Sequence, residues 1–241
     1  MDVDSALASI SSDGERLVDA AADLEATVPT CPQWSVHDLL GHIGWVHRYV
    51  AEHVVRRATE RVPPEEMPTA PPGDAVRDYA REGLAAITDA LASVDPHEPM
   101  WTWGGRQEAG FFLRRMVHET AVHRFDAESV AGEPRGVPDD QGADGVDELY
   151  TEILSFGLLR WPRPVPTGTL HLHRTDGGEG EWMIRPDGEG ISVAHSHEKG
   201  DAAIRGSGSD LFFTIWGRIG LDRVEVFGDE AVARAWVDMS P

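Results

Sequence analysis

The apolar residues of this 241-residue chain change their spacing partway along it, and that change constrains the fold more than any other feature. Up to Val130 they recur every three or four positions, as in helices that bury one face. From Thr167 onward short stretches alternate apolar and polar residues, as half-buried strands do. Gly132, Pro134, Gly136 and Pro138 mark the junction, and a helical stretch carrying Val146, Leu149, Ile153 and Leu154 runs into the breaker WPRPVP. One uniform architecture cannot satisfy both periods. The sequence therefore predicts two domains, an all-α four-helix bundle followed by a small α+β domain, with the bundle over 1–135, a linker and connecting helix over 136–160, and the α+β domain over 161–241.

Within the bundle, Leu7, Ile10, Leu17, Val18, Ala21 and Leu24 predict a first helix that ends before Pro29. Ser35 and Asp38 have capping-box spacing for a second helix, with Trp34 able to staple onto Leu39 across the cap. The proline-rich stretch from Val62 to Gly73 must be a loop. Val76, Tyr79, Leu84, Ile87 and Leu91 predict a third helix, and Ala109 to Val130 a fourth, after a turn holding Trp101 and Trp103. Beyond the junction, TLHLH, GEWMIRP and GISVAH are strand candidates. Ser209 is placed to cap a short helix closed by Gly217, and a last helix follows Gly228.

The charge removes several functions. The chain has 42 Asp and Glu against 21 Lys and Arg, a formal charge of −21. Such a surface repels phosphate backbones and anionic lipid heads, so neither nucleic acid nor a membrane is an expected partner. Lys199 is the only lysine, and the remaining basic residues are arginines. A single cysteine, Cys31, excludes an intrachain disulfide, and no signal-like or membrane-spanning stretch is present. A cytoplasmic protein, monomeric or weakly dimeric, is expected.

The chemistry concentrates in RRMVHETAVHRFDAE on the fourth helix. His118 and His123 are five residues apart, about 140° around the helix, too far to share one ion. Glu119 and His123 are four apart, about 40°, and can chelate one. A third ligand must come from elsewhere, and the second helix offers His37, His42 and His47. Its narrow aliphatic stripe slightly favours His47, a wider arc including Trp45 and Tyr49 admits His42, and periodicity does not choose.

The pairing of CPQWSVHDLLGHIGW with RRMVHETAVHRFDAE resembles the mycothiol-dependent maleylpyruvate isomerase family. LHLHRTDGGEGEWMI and AAIRGSGSDLFFTIWGR are similar to that family's C-terminal domain, so the resemblance spans nearly the whole chain. It implies a DinB-like four-helix bundle and a sterol-carrier-like α+β domain. It also implies that His42, Glu119 and His123 are the metal ligands, for Zn2+ or another divalent ion. Phe125 stands where the family usually has Trp and keeps an aromatic body.

The implied chemistry suits these residues. An ion held by two imidazoles and a carboxylate keeps an open position that can bind and deprotonate a thiol. Cys31 lies apart in sequence from every ligand, so the sulfur is expected from mycothiol, a small-molecule thiol. In the family's named reaction the thiolate adds to the cis double bond of maleylpyruvate, the bond rotates, and elimination gives fumarylpyruvate; attack on other small electrophilic substrates would make an S-transferase. Asp126 could orient a ligand imidazole, and Arg114 and Arg115 could bind carboxylates. Trp101 and Trp103 could wall the pocket, and His173 and Arg218 could touch the bound thiol. His171 and His173 share one strand face, and His195 and His197 form a similar pair. Lacking a carboxylate partner at fixed spacing, these pairs read better as polar residues on a partly exposed sheet face, and Arg218 and Arg205 are possible anion contacts that no motif ranks. Two alternatives use the same three ligands: a metal-dependent hydrolase, with Asp126 or His118 as base, or a non-catalytic protein that binds zinc or a small ligand.

Overall fold

The computed structural model describes residues 2–132, 134–160 and 162–240. The chain divides into two compact units, up to Arg135 and from Gly136.

The first unit contains four long helices: α1 (Val3–Ala20), α2 (Val36–Arg56), α3 (Ala75–Ala92) and α4 (Ala109–Ala131). Each packs mainly on two others, α1 and α2 both lying against α3 and α4. The chain thus crosses the bundle diagonal between α1 and α2, and again between α3 and α4. The α1 stripe stops sooner than its spacing predicts. The helix ends at Ala20, and Leu24 is buried from a turn instead. The crossing that follows forms a small antiparallel hairpin, β1 (Thr27–Val28) with β2 (Cys31–Ser35), so the unit is not purely helical. Pro29 and Pro32 hid this hairpin in the sequence.

The hairpin delivers the chain into α2 through the expected cap. Ser35 Oγ accepts from the Asp38 N–H at 3.2 Å, and the Ser35 N–H donates back to Asp38 Oδ2 at 3.0 Å. Trp34 packs on the cluster of Val36, Leu39, Leu40 and Ile43. Against α3, α2 approaches closely at Gly44 and Gly83. A Cβ on Gly83 would lie 2.7 Å from the Gly44 carbonyl oxygen, so only glycine permits this contact. The proline-rich loop is present, with one 3-10 turn at Pro64–Glu66.

In the second unit, α5 (Asp139–Glu148) continues through a π-helical segment (Leu149–Leu154) into α6 (Ser155–Arg160). Here α5 packs on α7 (Gly208–Ile215), so the stretch expected to connect two domains belongs to the second one. The sheet holds β3 (Leu170–Arg174), β4 (Glu181–Asp187), β5 (Gly190–Ala194), β6 (Ala202–Gly206) and β7 (Glu225–Gly228), in the order β5-β4-β3-β6-β7. All neighbours are antiparallel except β3 and β6. Three strands match the sequence candidates; β6 and β7 carry too little alternation to be predicted. Ser207, rather than Ser209, caps α7, while Ser209 Oγ accepts from the Val137 N–H at 3.1 Å. The last helix, α8 (Glu230–Val237), follows Gly228. Among the described residues no helix is long and apolar enough to cross a membrane.

Candidate metal centre

Helices α2 and α4 run antiparallel where they meet, because His42 near the start of α2 faces Glu119 while His53 near its end faces Phe112, and His47 between them faces Thr120. That pairing decides what periodicity left open. His47 is fully buried, with Nε2 3.0 Å from Thr120 Oγ1. Burial pushes its pKa down to about 3, against the opposing pull of the Glu119 charge, so it is a neutral core histidine. His37 points elsewhere, with Nε2 3.0 Å from the Pro71 carbonyl.

His42, Glu119 and His123 converge. Both His42 Nε2 and His123 Nε2 lie 3.3 Å from the same oxygen, Glu119 Oε1. One donor atom from each of the three residues falls within 4.8 Å of the others. Tetrahedral zinc with bonds of about 2.0–2.1 Å requires donor separations of roughly 3.3–3.4 Å, so these contacts have the length of a coordination edge. The donor set, two imidazoles and a carboxylate, also fits an ion that keeps one position open.

The surroundings fix both rings and the carboxylate. His123 Nδ1 lies 2.9 Å from Asp126 Oδ2, an arrangement that leaves Nε2 to face the cluster. Asp126 is itself fully buried, and its Oδ1 accepts from Thr30 Oγ1 at 2.6 Å. Arg115 donates to the second oxygen, Glu119 Oε2, at 3.1 Å. Burial alone would lower the His123 pKa, but hydrogen bonds to Asp126 and Glu119 outweigh it and raise the value to about 9. Burial would raise the Glu119 pKa, yet hydrogen bonds from His123 and His42 and the Arg115 charge hold it well below the usual carboxylate range. In the absence of an ion, imidazolium and guanidinium groups neutralise the carboxylate.

The hairpin supplies residues that the sequence did not assign to the cluster. Cys31 Sγ lies 3.8 Å from Asp126 Oδ2, although the two are far apart in sequence. Trp34, just before the Ser35 cap, sets its ring 4.8 Å from that of His42 and 5.9 Å from that of His123. Its place beside a strong capping box was the available signal, and nothing local pointed to the other contact face of the hairpin.

The other candidate residues fall as follows. Arg115 is buried and engaged by Glu119, so its place is beside the carboxylate, while Arg114 is half-buried one residue earlier on α4. Trp101 stacks on His53 with centroids 5.0 Å apart, and Trp103 meets Phe112 edge-on at 5.0 Å. Phe112 precedes Glu119 by seven residues, so this aromatic cluster sits about 10.5 Å along α4 from the carboxylate. His118 is fully buried. His173 and Arg218 belong to the second unit, where His173 faces Glu181 and Arg218 Nη1 donates to the Trp216 carbonyl at 2.7 Å. Arg205 reaches Glu225.

The fold and this cluster define a class: a two-domain protein with a His–Glu–His cluster in its helical bundle and a small α+β domain after it. The mycothiol maleylpyruvate isomerase N-terminal domain profile matches residues 7–128, and the profile of the C-terminal domain of the same family matches 140–235. The chain belongs to the mycothiol maleylpyruvate isomerase family. Comparison with curated protein sequences gives no significant match. Among solved structures it is similar to a mycothiol-dependent maleylpyruvate isomerase, with a TM-score of 0.68 at 13% identity over 94% of this chain and 93% of that one. A histidine-to-alanine variant of a mycothiol-dependent maleylpyruvate isomerase gives 0.65 at 14% identity, with the same coverage.

Proposed function

We propose that this chain is a metal- and mycothiol-dependent enzyme in which His42, Glu119 and His123 hold a divalent ion, zinc by preference, and a thiol cofactor attacks a small electrophilic substrate. The observation that carries this reading is the approach of two imidazole Nε2 atoms to one carboxylate oxygen at 3.3 Å each. When bound, the ion would lower the pKa of a thiol and hold it as thiolate. Asp126 keeps the His123 proton on Nδ1, and Arg115 balances the charge of Glu119. Trp34 covers one side of the imidazole pair, while the His42 side chain, 33% exposed, leaves a way in from solvent.

For a maleylpyruvate-type substrate, sulfur adds to one carbon of the cis double bond, the remaining single bond rotates, and the C–S bond breaks as the trans double bond forms. The thiol is regenerated. With a substrate bearing a leaving group, that group would depart with its bonding electrons as the C–S bond forms, and the product would be an S-conjugate. Arg114 is the candidate contact for substrate carboxylates. Hydrolysis at the same cluster is disfavoured, since both residues considered as its general base, Asp126 and His118, are fully buried and Asp126 is engaged by His123 and Thr30.

The test is cobalt substitution of the full chain followed by thiol titration. Mycothiol should produce a saturable sulfur-to-cobalt charge-transfer band that His123→Ala abolishes and His47→Gln retains. A wild-type protein that binds no ion at His42, Glu119 and His123, or one whose bound ion never responds to thiol, overturns the reading.

A further inference from the structure

The second unit carries its own convergence of ligand side chains, assembled by the sheet register. His171 and His173 lie two residues apart on β3 and so project from one face. On the neighbouring antiparallel strand, Glu181 sits directly opposite His173, which puts its carboxylate on that same face. The segment after β5 then brings in His197. Glu181 Oε2 lies 2.5 Å from His171 Nε2, while Oε1 lies 2.5 Å from His173 Nδ1 and 3.0 Å from His197 Nδ1. One donor atom from each of the four residues falls within 4.8 Å of all the others.

Three imidazoles around one carboxylate are poorly explained as ion pairing. One carboxylate carries the charge to balance a single cation, yet three rings converge on it here. The three facing nitrogens and the carboxylate instead make up a set of donors beside a negative charge. That is the electrostatic setting of a divalent cation. The sequence argued against a His-x-His grip because no carboxylate stood at a fixed spacing; the strand pairing supplies one across β3 and β4. His195, by contrast, turns to Asp147, with Nε2 2.6 Å from Oδ1, and is no part of the cluster.

We propose that His171, His173, Glu181 and His197 form a second metal site, separate from the one in the bundle. Its donors are three nitrogens and an oxygen with no thiolate, a set suited to Zn2+, Co2+, Ni2+ or Cu2+. Four protein ligands fill a tetrahedral shell, so the site is structural, clipping the segment after β5 to the β3–β4 pair. Exposure grades from 8% for the His171 side chain to 74% for that of His197, which gives the ion a route in from the loop side.

The two sites are told apart by counting zinc bound to the full-length protein after chelator treatment, reloading and desalting. Wild type should hold two equivalents. His123→Ala should keep one, and His173→Ala, at a half-buried position, should also keep one. Glu181→Gln, nearly isosteric, and His197→Ala, at an exposed position, guard against a folding defect and should each lose the same equivalent as His173→Ala. Cobalt in His123→Ala should show the visible bands of a four-coordinate site, with no change on adding thiol. A wild type with one equivalent that is lost in His123→Ala and kept in His173→Ala and His197→Ala overturns the second site and leaves the bundle site standing. One equivalent lost in His173→Ala and kept in His123→Ala does the reverse.

Discussion

Replacing Asp126 with asparagine isolates the part of the candidate centre that positions rather than binds. Asp126 is fully buried, with one oxygen on His123 Nδ1 at 2.9 Å and the other on Thr30 Oγ1 at 2.6 Å. Asparagine keeps the volume and removes the charge. If its amide oxygen faces His123, the ring keeps the same tautomer and loses only the anionic partner; the Thr30 hydroxyl must then accept instead of donate. If its NH2 faces His123, the ring proton moves to Nε2, the atom that faces the cluster, and binding fails in that rotamer. The first arrangement will dominate, since a hydroxyl reverses at little cost. The expected loss is that of a partner behind a metal-bound histidine, about 10- to 100-fold in affinity or roughly 1.4–2.7 kcal/mol. Competition with a chromophoric zinc chelator measures it, using His173→Ala as background so that only the bundle site is read. Activity at saturating zinc should recover most of the wild-type value. A zinc affinity within twofold of the parent would refute the positioning argument.

Two further outcomes test the surroundings. His47 is held neutral by burial, with a folded pKa of about 3 against an ordinary value of 6.5. Between those values the unfolded chain binds the extra proton, so the stability of the chelator-treated protein should fall with decreasing pH by about 1.4 kcal/mol per unit, and His47→Gln should flatten that slope in urea titrations between pH 4 and 6. An unchanged slope would mean that His47 reaches water. Gly83→Ala would place a Cβ against the Gly44 backbone and should destabilise the bundle by about 1–3 kcal/mol in chemical denaturation, outweighing the helix propensity of alanine; a neutral result would show that α2 and α3 can separate without strain.

Much of the architecture could be read locally. The period switch, the capping box at Ser35 and Asp38, the prolines of the loop after α2 and the glycines of the sheet turns act within a few residues of themselves. The early end of α1 could not be read this way, because Leu24 keeps the apolar spacing while leaving the helix, and burial in a turn satisfies the same hydrophobic requirement. The hairpin was hidden for a related reason. Its partner strand is two residues long, and proline residues flank or interrupt the pair.

The two histidine clusters draw the line most clearly. Spacing alone established that Glu119 and His123 share one face of α4, because four residues nearly complete a helical turn. It left His42 and His47 as rivals, and resemblance to a family favoured His42. Only the packing of α2 against α4 turned His42 to the carboxylate and His47 to Thr120, and only the hairpin brought Thr30, Cys31 and Trp34 alongside. In the second unit, alternation put His171 and His173 on one face, but the choice of Glu181 as their partner came from strand register. The sequence by itself determined what depends on neighbours along the chain: helices, caps, turns and the i,i+4 pair. The tertiary structure decided what depends on neighbours across it, since contacts between distant segments follow from how whole faces pack and carry no signature at either end alone.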